Sequence, residues 1–157
     1  MINYAHRGAS EYAPENTLSS FYLGLLQGAN GIETDVRKTK DGIPVLFHDD
    51  TLDRVTNATG KVCDYTLAEL KKVKIFGNST NGFFDRIVTF REFLEKFSQY
   101  DINFAIELKG ENVEKETLEL VSSIKGIGKR AAADLLIYTQ GFKDMNSYKQ
   151  LISYAGL

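Results

Sequence analysis

Three carboxylates in this sequence have the types and spacing of metal ligands. Glu33 and Asp35 are two residues apart in an apolar, β-prone stretch, and Glu107 ends another such stretch. Residues two apart on a strand share a face, so Glu33 and Asp35 are within reach of one ion. Such an oxygen-rich set without cysteine favours Mg²⁺ or Ca²⁺ over zinc. An isolated Glu-x-Asp pair is more often an exposed strand face, so the interpretation depends on neighbouring groups.

The sequence has two histidines, and both follow short apolar runs. His6 and His48 therefore lie where a parallel β/α architecture gathers its active-site groups. Since the free pKa of histidine is near neutrality, the pair suits proton removal and proton donation around a phosphate. Arg7 and Lys109 suit phosphate binding, Arg7 through paired donors and Lys109 as a compact cation. The alternative for Lys109 is a solvated strand end.

The composition is that of one compact globular domain. The chain has 157 residues, of which 43% are hydrophobic and 25% charged, with a net charge of -2. This balance excludes the strongly basic class of nucleic-acid-binding proteins. Cys63 is the single cysteine, which excludes an internal disulfide. There is no charged-then-apolar leader and no apolar run of ~20 residues, so we expect a cytoplasmic protein without a membrane span.

Strands and helices alternate in the predicted order of elements. The β-prone runs are residues 2–5, 32–36, 43–47 and 102–108. After Pro14, apolar residues recur at helical spacing until Gly28 and Gly31. Thr66 with Glu69, and Thr89 with Glu92, are capping boxes that predict helices over 67–73 and 90–97. This alternation predicts a parallel β/α sheet.

Several motifs occur in the order that is typical of one enzyme family. They are His6-Arg7-Gly8, Pro14-Glu15-Asn16-Thr17, Gly31-Ile32-Glu33-Thr34-Asp35-Val36, Lys40-Asp41-Gly42-Ile43-Pro44-Val45, His48-Asp49, Thr51-Leu52-Asp53-Arg54-Val55-Thr56, Thr59-Gly60-Lys61-Val62, Thr66-Leu67-Ala68-Glu69-Leu70 and Ile106-Glu107-Leu108-Lys109. Together they resemble the glycerophosphodiester phosphodiesterase family over about the first 110 positions. Val88 departs from the family, which commonly has proline before the capping threonine.

The resemblance implies a TIM-barrel enzyme that cleaves glycerophosphodiesters to glycerol 3-phosphate and an alcohol. It places a divalent metal, Mg²⁺ or Ca²⁺, on Glu33, Asp35 and Glu107. It makes His6 and His48 the acid and base, and sets Arg7 and Lys109 near the phosphate. We assign the motif that begins at Pro14 mainly to helix initiation, with Asn16 as a candidate outer partner of the site.

The resemblance to this family ends near residue 111. A (β/α)₈ barrel typically needs at least ~200 residues. We therefore expect an incomplete TIM-type barrel in residues 1–111, with first strands and helices only, followed by a mainly helical tail in residues 112–157.

The tail has two interpretations. Residues 122–136 fit a helix-hairpin-helix, in which Gly126 and Gly128 allow close approach to a DNA phosphate and Lys129 and Arg130 add charge. The alternative is an ordinary loop of the barrel, with Gly126 as a helix C-cap and residues 134–138 as the fourth strand.

A second resemblance concerns the last 40 or so residues. Three segments resemble the helix-hairpin-helix region of insertion-sequence transposases, namely Gly126-Ile127-Gly128-Lys129, Gly141-Phe142-Lys143 and Lys149-Gln150-Leu151-Ile152-Ser153-Tyr154-Ala155-Gly156-Leu157. This resemblance implies a transposase fragment joined to the phosphodiesterase part between residues 111 and 121.

Three hypotheses follow. The first is a working phosphodiesterase acting on a small-molecule glycerophosphodiester. The second is an inactive half-barrel, whose uncovered strand edge and apolar face would favour self-association. The third is a small DNA-binding module in residues 122–136, against which the mild acidity of the chain argues. The sequence leaves open the alcohol, the metal, the oligomeric state and whether water or a substrate hydroxyl is the nucleophile.

Overall fold

The structure, a computed structural model, describes residues 1–78, 82–110, 112–123 and 135–139. The main sheet in these ranges contains β1 Tyr4–His6, β2 Gly31–Lys38, β3 Pro44–Leu46, β6 Asn103–Leu108 and β7 Leu135–Thr139. A separate hairpin contains β4 Lys74–Phe76 and β5 Phe84–Arg86. The helices are α1 Leu18–Leu26, α2 Leu67–Leu70, α3 Phe90–Phe97 and α4 Glu114–Ser123, with a 3₁₀ turn at Val62–Asp64.

The main sheet is parallel along the path that carries the predicted site. Its order is β1-β2-β6-β7, with each neighbouring pair parallel, while β3 pairs antiparallel with β2. In this register His6 is opposite Glu33, and Asp35 is opposite Glu107. The predicted parallel β/α sheet is confirmed. Asp35 and Glu107 are therefore neighbours on adjacent strands, and Glu33 lies two residues before Asp35.

Local sequence signals explain several of the element boundaries. Both predicted capping boxes form, at Thr66 and at Thr89, and α3 has the predicted limits. The N-cap of α1 is Thr17, so Pro14 precedes the helix and does not occupy its first turn as predicted. The chain reverses between β2 and β3 at Gly42, whose positive φ of 82° a side chain would disfavour.

Aromatic side chains join the helices to the outer face of the sheet. Phe21 of α1 packs edge-on against Phe93 of α3, with ring centroids 5.1 Å apart, and Phe93 also contacts Phe104 of β6. Burial of each such ring contributes about 2–3 kcal/mol. This cluster includes the alternate residues Ile32 and Val36 of β2. Glu33 and Asp35, which alternate with these residues along β2, consequently belong to the opposite face.

A second hydrophobic cluster belongs to the segment between β3 and α3. It contains Val45, Phe47, Leu52, Val62, Leu70, Val73, Ile75 and Ile87. The β4–β5 hairpin in this segment was not predicted, because two three-residue strands give too short a periodicity to recognise. Helix α2 ends at Leu70, three residues before the predicted limit, and the chain turns directly into β4.

The predicted tail is described only in part. Strand β7 pairs parallel with β6, which agrees with the alternative of a fourth strand and contradicts a second helix reaching residue 136. The predicted mainly helical tail is thus wrong for these five residues, although α4 is helical. Residues 124–134 and 140–157, on which the DNA-contact and transposase predictions depend, lie outside the described residues.

Within the part of the chain that the structure describes, no helix has both the length and the hydropathy needed to cross a bilayer.

Candidate active site

The three predicted ligand carboxylates converge at the junction of β2 and β6. One carboxylate oxygen from each of Glu33, Asp35 and Glu107 lies within 4.8 Å of the other two. The strand register causes this convergence, because Asp35 and Glu107 are cross-strand partners and Glu33 shares the face of Asp35. These are the three residues that the sequence predicted as ligands, and the structure brings all three together.

Electrostatic strain is present in this carboxylate cluster. Burial, together with the neighbouring Asp35 carboxylate, raises the pKa of Glu33 to about 7. Asp35 is 1% exposed, and its buried Oδ1 accepts no hydrogen bond from the described residues. An acceptor in that position normally has a partner. A hard divalent cation fits such a set of carboxylate oxygens and would supply the missing contact.

Two cations adjoin the cluster. Lys109 Nζ lies 2.9 Å from Glu107 Oε1 and 3.4 Å from Asp35 Oδ1. Arg7 Nε lies 3.4 Å from Asp35 Oδ2 but makes no hydrogen bond within the described part of the chain. Both side chains lie beside the predicted metal ligands, and their role in phosphate binding stays a prediction. The alternative of Lys109 as a solvated strand end is wrong because its side chain is 10% exposed.

The backbone around Arg7 is tightly constrained. Arg7 has a positive φ of 57°, which costs a residue with a side chain about 1–2 kcal/mol. Its amide N donates to Glu33 Oε2 over 3.0 Å. At Gly8, a Cβ would lie only 2.3 Å from Ser20 Oγ, so only glycine allows α1 to pack this closely. The surrounding packing thus fixes the backbone at Arg7 beside the cluster.

Asn16 has a larger role than the sequence analysis assigned. Its side chain is buried, Nδ2 donates to Asp35 Oδ2 over 3.0 Å, and Oδ1 accepts from Thr34 Oγ1 over 2.7 Å. Asn16 also has a positive φ of 56°, which asparagine tolerates better than most residues. It therefore orients a presumed ligand. Helix initiation is the role of Thr17 instead.

The two histidines differ in their surroundings. The side chain of His6 is 68% exposed, and Nε2 lies 3.8 Å from Glu33 Oε2. His48 is partly buried, and Nδ1 lies 2.6 Å from Asp49 Oδ1. This contact orients the imidazole of His48 and leaves Nε2 as its other functional nitrogen.

A network of ion pairs holds Asp49, and no sequence argument had assigned it a role. Arg54 donates to both carboxylate oxygens of Asp49, at 2.6 and 3.2 Å, and to both of Glu15, at 2.6 and 3.0 Å. The Arg54 guanidinium and His48 lower the pKa of Asp49 to about 2. Glu15 also lies 3.5 Å from Arg7. Glu15, Asp49 and Arg54 all belong to the family motifs found in the sequence. That membership was the one sequence signal that could have identified them as site residues.

Comparisons with known proteins agree with this arrangement. The sequence model of the glycerophosphoryl diester phosphodiesterase family matches residues 6–152, a range that includes most of the segment predicted as a separate tail. Glycerophosphodiester phosphodiesterase 1 of Homo sapiens is 41% identical over 109 residues, covering 68% of this chain and 33% of that protein. A putative glycerophosphodiester phosphodiesterase of Bacillus subtilis is 45% identical over 113 residues, covering 70% and 45%.

Solved structures are similar over nearly the whole chain. A glycerophosphodiester phosphodiesterase of Agrobacterium tumefaciens has a TM-score of 0.81 at 29% identity, covering 98% of this chain and 64% of that one. An Oleispira antarctica phosphodiesterase in complex with the product sn-glycerol-3-phosphate has a TM-score of 0.72 at 29% identity, covering 99% and 72%. The chain spans about a third to a half of the length of the curated relatives it matches. Since the family match covers well over half of this sequence, the chain belongs to the glycerophosphoryl diester phosphodiesterase family.

Proposed function

We propose that this protein hydrolyses glycerophosphodiesters to glycerol 3-phosphate and an alcohol, with Mg²⁺ or Ca²⁺ held by Glu33, Asp35 and Glu107. The observation that carries the proposal is the convergence of these three carboxylates, within 4.8 Å, beside Lys109. The Oleispira antarctica structure, whose bound product is sn-glycerol-3-phosphate, supports the same product.

The cation would supply positive charge against a phosphoryl oxygen as the P–O bond breaks. Asp35 and Glu107 neutralise Lys109 when no cation is bound, because both lie within 3.4 Å of its Nζ. When a bound cation neutralises the charge of Asp35 and Glu107, the cationic groups of Lys109 and Arg7 are free to attract the substrate phosphate.

Proton transfer is assigned to the two histidines. One removes the proton from the nucleophile that attacks phosphorus, and the other protonates the oxygen of the leaving alcohol. For His48 the reacting nitrogen is Nε2, because Nδ1 is engaged by Asp49. The extensive exposure of the His6 side chain is compatible with a group that meets substrate from solvent.

The test is an assay of glycerol 3-phosphate release from glycerophosphodiesters with added Mg²⁺ or Ca²⁺. Glu33→Ala removes a presumed ligand, and we expect at least a 100-fold loss of activity on the scale of metal-supported catalysis. The matched control is Glu95→Ala, since Glu95 is an exposed residue of α3. Equal rates for wild type and Glu33→Ala would overturn the proposal.

A further inference from the structure

A cavity of about 500 Å³ lies beside Lys109. It adjoins the carboxylate cluster, because Arg37 of β2 follows Asp35 by two residues and shares its face. Lys109, which comes directly after β6, pairs with Glu107 and Asp35. Four cationic side chains line it, namely Arg37, Lys38, Lys61 and Lys109. Nothing in the proposed reaction at the carboxylate cluster uses Arg37 or Lys61.

The cavity has more positive than negative charge. Asp50 is the one carboxylate among its lining residues in the described ranges. Arg37 Nη1 lies 3.3 Å from Asp50 Oδ1, and Lys61 Nζ lies 3.8 Å from Asp50 Oδ2. Lys38 pairs with Glu116 outside the lining, at 3.5 Å. Two cations thus share a single, largely exposed carboxylate.

Arg37 is fixed in position, in contrast to a typical surface arginine. Its side chain is 14% exposed, and Nε donates to the carbonyl oxygen of His48 over 3.0 Å. A Cβ at position 110 would lie 3.7 Å from Nη1, in van der Waals contact with the guanidinium. Because Gly110 has no side chain, this side of the guanidinium stays uncovered. A pre-positioned guanidinium with an open approach is well suited to bind an oxyanion.

We propose that this cavity binds a second phosphate group, carried by the alcohol part of the substrate, with Arg37 and Lys61 as its ligands. The inference rests on the proposed hydrolysis of glycerophosphodiesters. In such a substrate the glycerol side is uncharged, so an additional anion belongs to the alcohol. The volume of the cavity suits a small polar group, and a phosphate would give Arg37 and Lys61, which share Asp50 within the cavity lining, a further anionic partner.

The test compares two diesters that differ only by the second phosphate. One is glycerophosphoglycerol, and the other is the same compound with a phosphate on the far hydroxyl of its second glycerol. We expect wild type to favour the phosphorylated diester in kcat/KM by roughly 10-fold, as two partly exposed charge-assisted contacts would give. In a double variant with Arg37→Gln and Lys61→Gln, this ratio falls toward one.

Two variants serve as matched comparisons. Lys72→Gln with Lys96→Gln removes the same charge from exposed residues that do not line the cavity, and the ratio should not change. Asp50→Asn removes the carboxylate that competes with the ligand, and the ratio should rise. An equal ratio in wild type and in the Arg37 and Lys61 double variant would overturn the inference.

A binding measurement separates this inference from the proposed function. If both diesters are hydrolysed equally well by wild type, the phosphodiesterase proposal stands and the phosphate pocket is overturned. If neither is hydrolysed, the proposed function fails, and calorimetric titration of both compounds then decides. Tighter binding of the phosphorylated compound that requires Arg37 and Lys61 would support the pocket, whereas equal binding would overturn it.

Discussion

The carboxylate cluster (Glu33, Asp35 and Glu107) and the Arg54 network (Arg54, Asp49 and Glu15) lie side by side. They differ in how fully the charges of their carboxylates are balanced. In the cluster, like charges adjoin, the pKa of Glu33 rises to about 7, and a buried oxygen of Asp35 lacks a hydrogen bond among the described residues. In the network, Arg54 saturates both carboxylates that it contacts, and the pKa of Asp49 falls to about 2. The network is electrostatically complete without a ligand, and the cluster is not.

This difference indicates a division of labour. A complete set of ion pairs fixes the orientation of His48 through Asp49 before substrate arrives. The incomplete set holds unfavourable interactions that the proposed cation would relieve. Adjacent residues of one loop serve the two regions, because Glu15 binds Arg54 and Asn16 binds Asp35.

The largest effect should follow from Asp35→Asn, which changes the most buried residue of the carboxylate cluster. The change keeps the size of the side chain but removes one of three ligand charges. We expect kcat/KM to fall by about 100-fold or more, together with loss of calorimetric Mg²⁺ or Ca²⁺ binding. Asp101→Asn, at an exposed position after α3, is the control. Retained cation binding in Asp35→Asn would remove the cluster as the metal site.

Glu33→Gln should make the stability of the cation-free protein less dependent on pH. The pKa of Glu33 is about 7 in the folded protein against 4.5 as the ordinary value, so between these pH values the folded state holds more protons. Stability without a cation therefore falls as pH rises through this window. The glutamine variant avoids that loss and should be more stable by up to about 3 kcal/mol at pH 8, but not at pH 4.5.

Urea unfolding in the presence of a chelator measures this prediction. Glu95→Gln is the control, because its carboxylate is exposed on α3. A gain in stability of the same size at both pH values would show that packing, and not ionisation of Glu33, causes the effect.

Asn16→Gly should weaken cation binding by roughly 10-fold, the scale of losing a partner that orients a ligand. Glycine accepts the positive φ of 56° at this position, so the change removes the hydrogen bonds without straining the backbone. Asn112→Gly is the matched control, since Asn112 has the same φ and is exposed. Equal cation affinity in both variants would contradict a role of Asn16 in holding Asp35.

Arg54→Lys should lower the rate of catalysis and leave the carboxylate cluster intact. A lysine cannot bridge Asp49 and Glu15 with paired donors, so His48 loses its fixed orientation. We expect kcat to fall by about 10-fold with little change in the affinity for Mg²⁺ or Ca²⁺. Arg91→Lys, at an exposed position of α3, is the control. A comparable loss of cation affinity would show that the two regions are not separable.

The sequence predicted those parts of the molecule that depend on local patterns. Alternation placed Glu33 and Asp35 on one face of β2, and the family motifs joined Glu107 to them. The capping threonine Thr89 identified the start of α3, which also ends at the predicted residue. It missed the partners that only tertiary contacts create, such as Arg54, which binds Glu15 from 39 positions away in the chain. Asn16 was undervalued because its left-handed backbone and burial beside Asp35 leave no periodic signal.

The pairing of β2 with β6 has a consequence for how the chain folds. β2 ends at Lys38 and β6 begins at Asn103, so the intervening segment must close on itself before Asp35 can meet Glu107. Such non-local pairing slows folding, since the entropy of loop closure is lost before the contact is gained. The three carboxylates consequently converge only in the folded chain. A cation that binds there and is present at a concentration of 100 times its Kd would stabilise the folded state by about 2.7 kcal/mol.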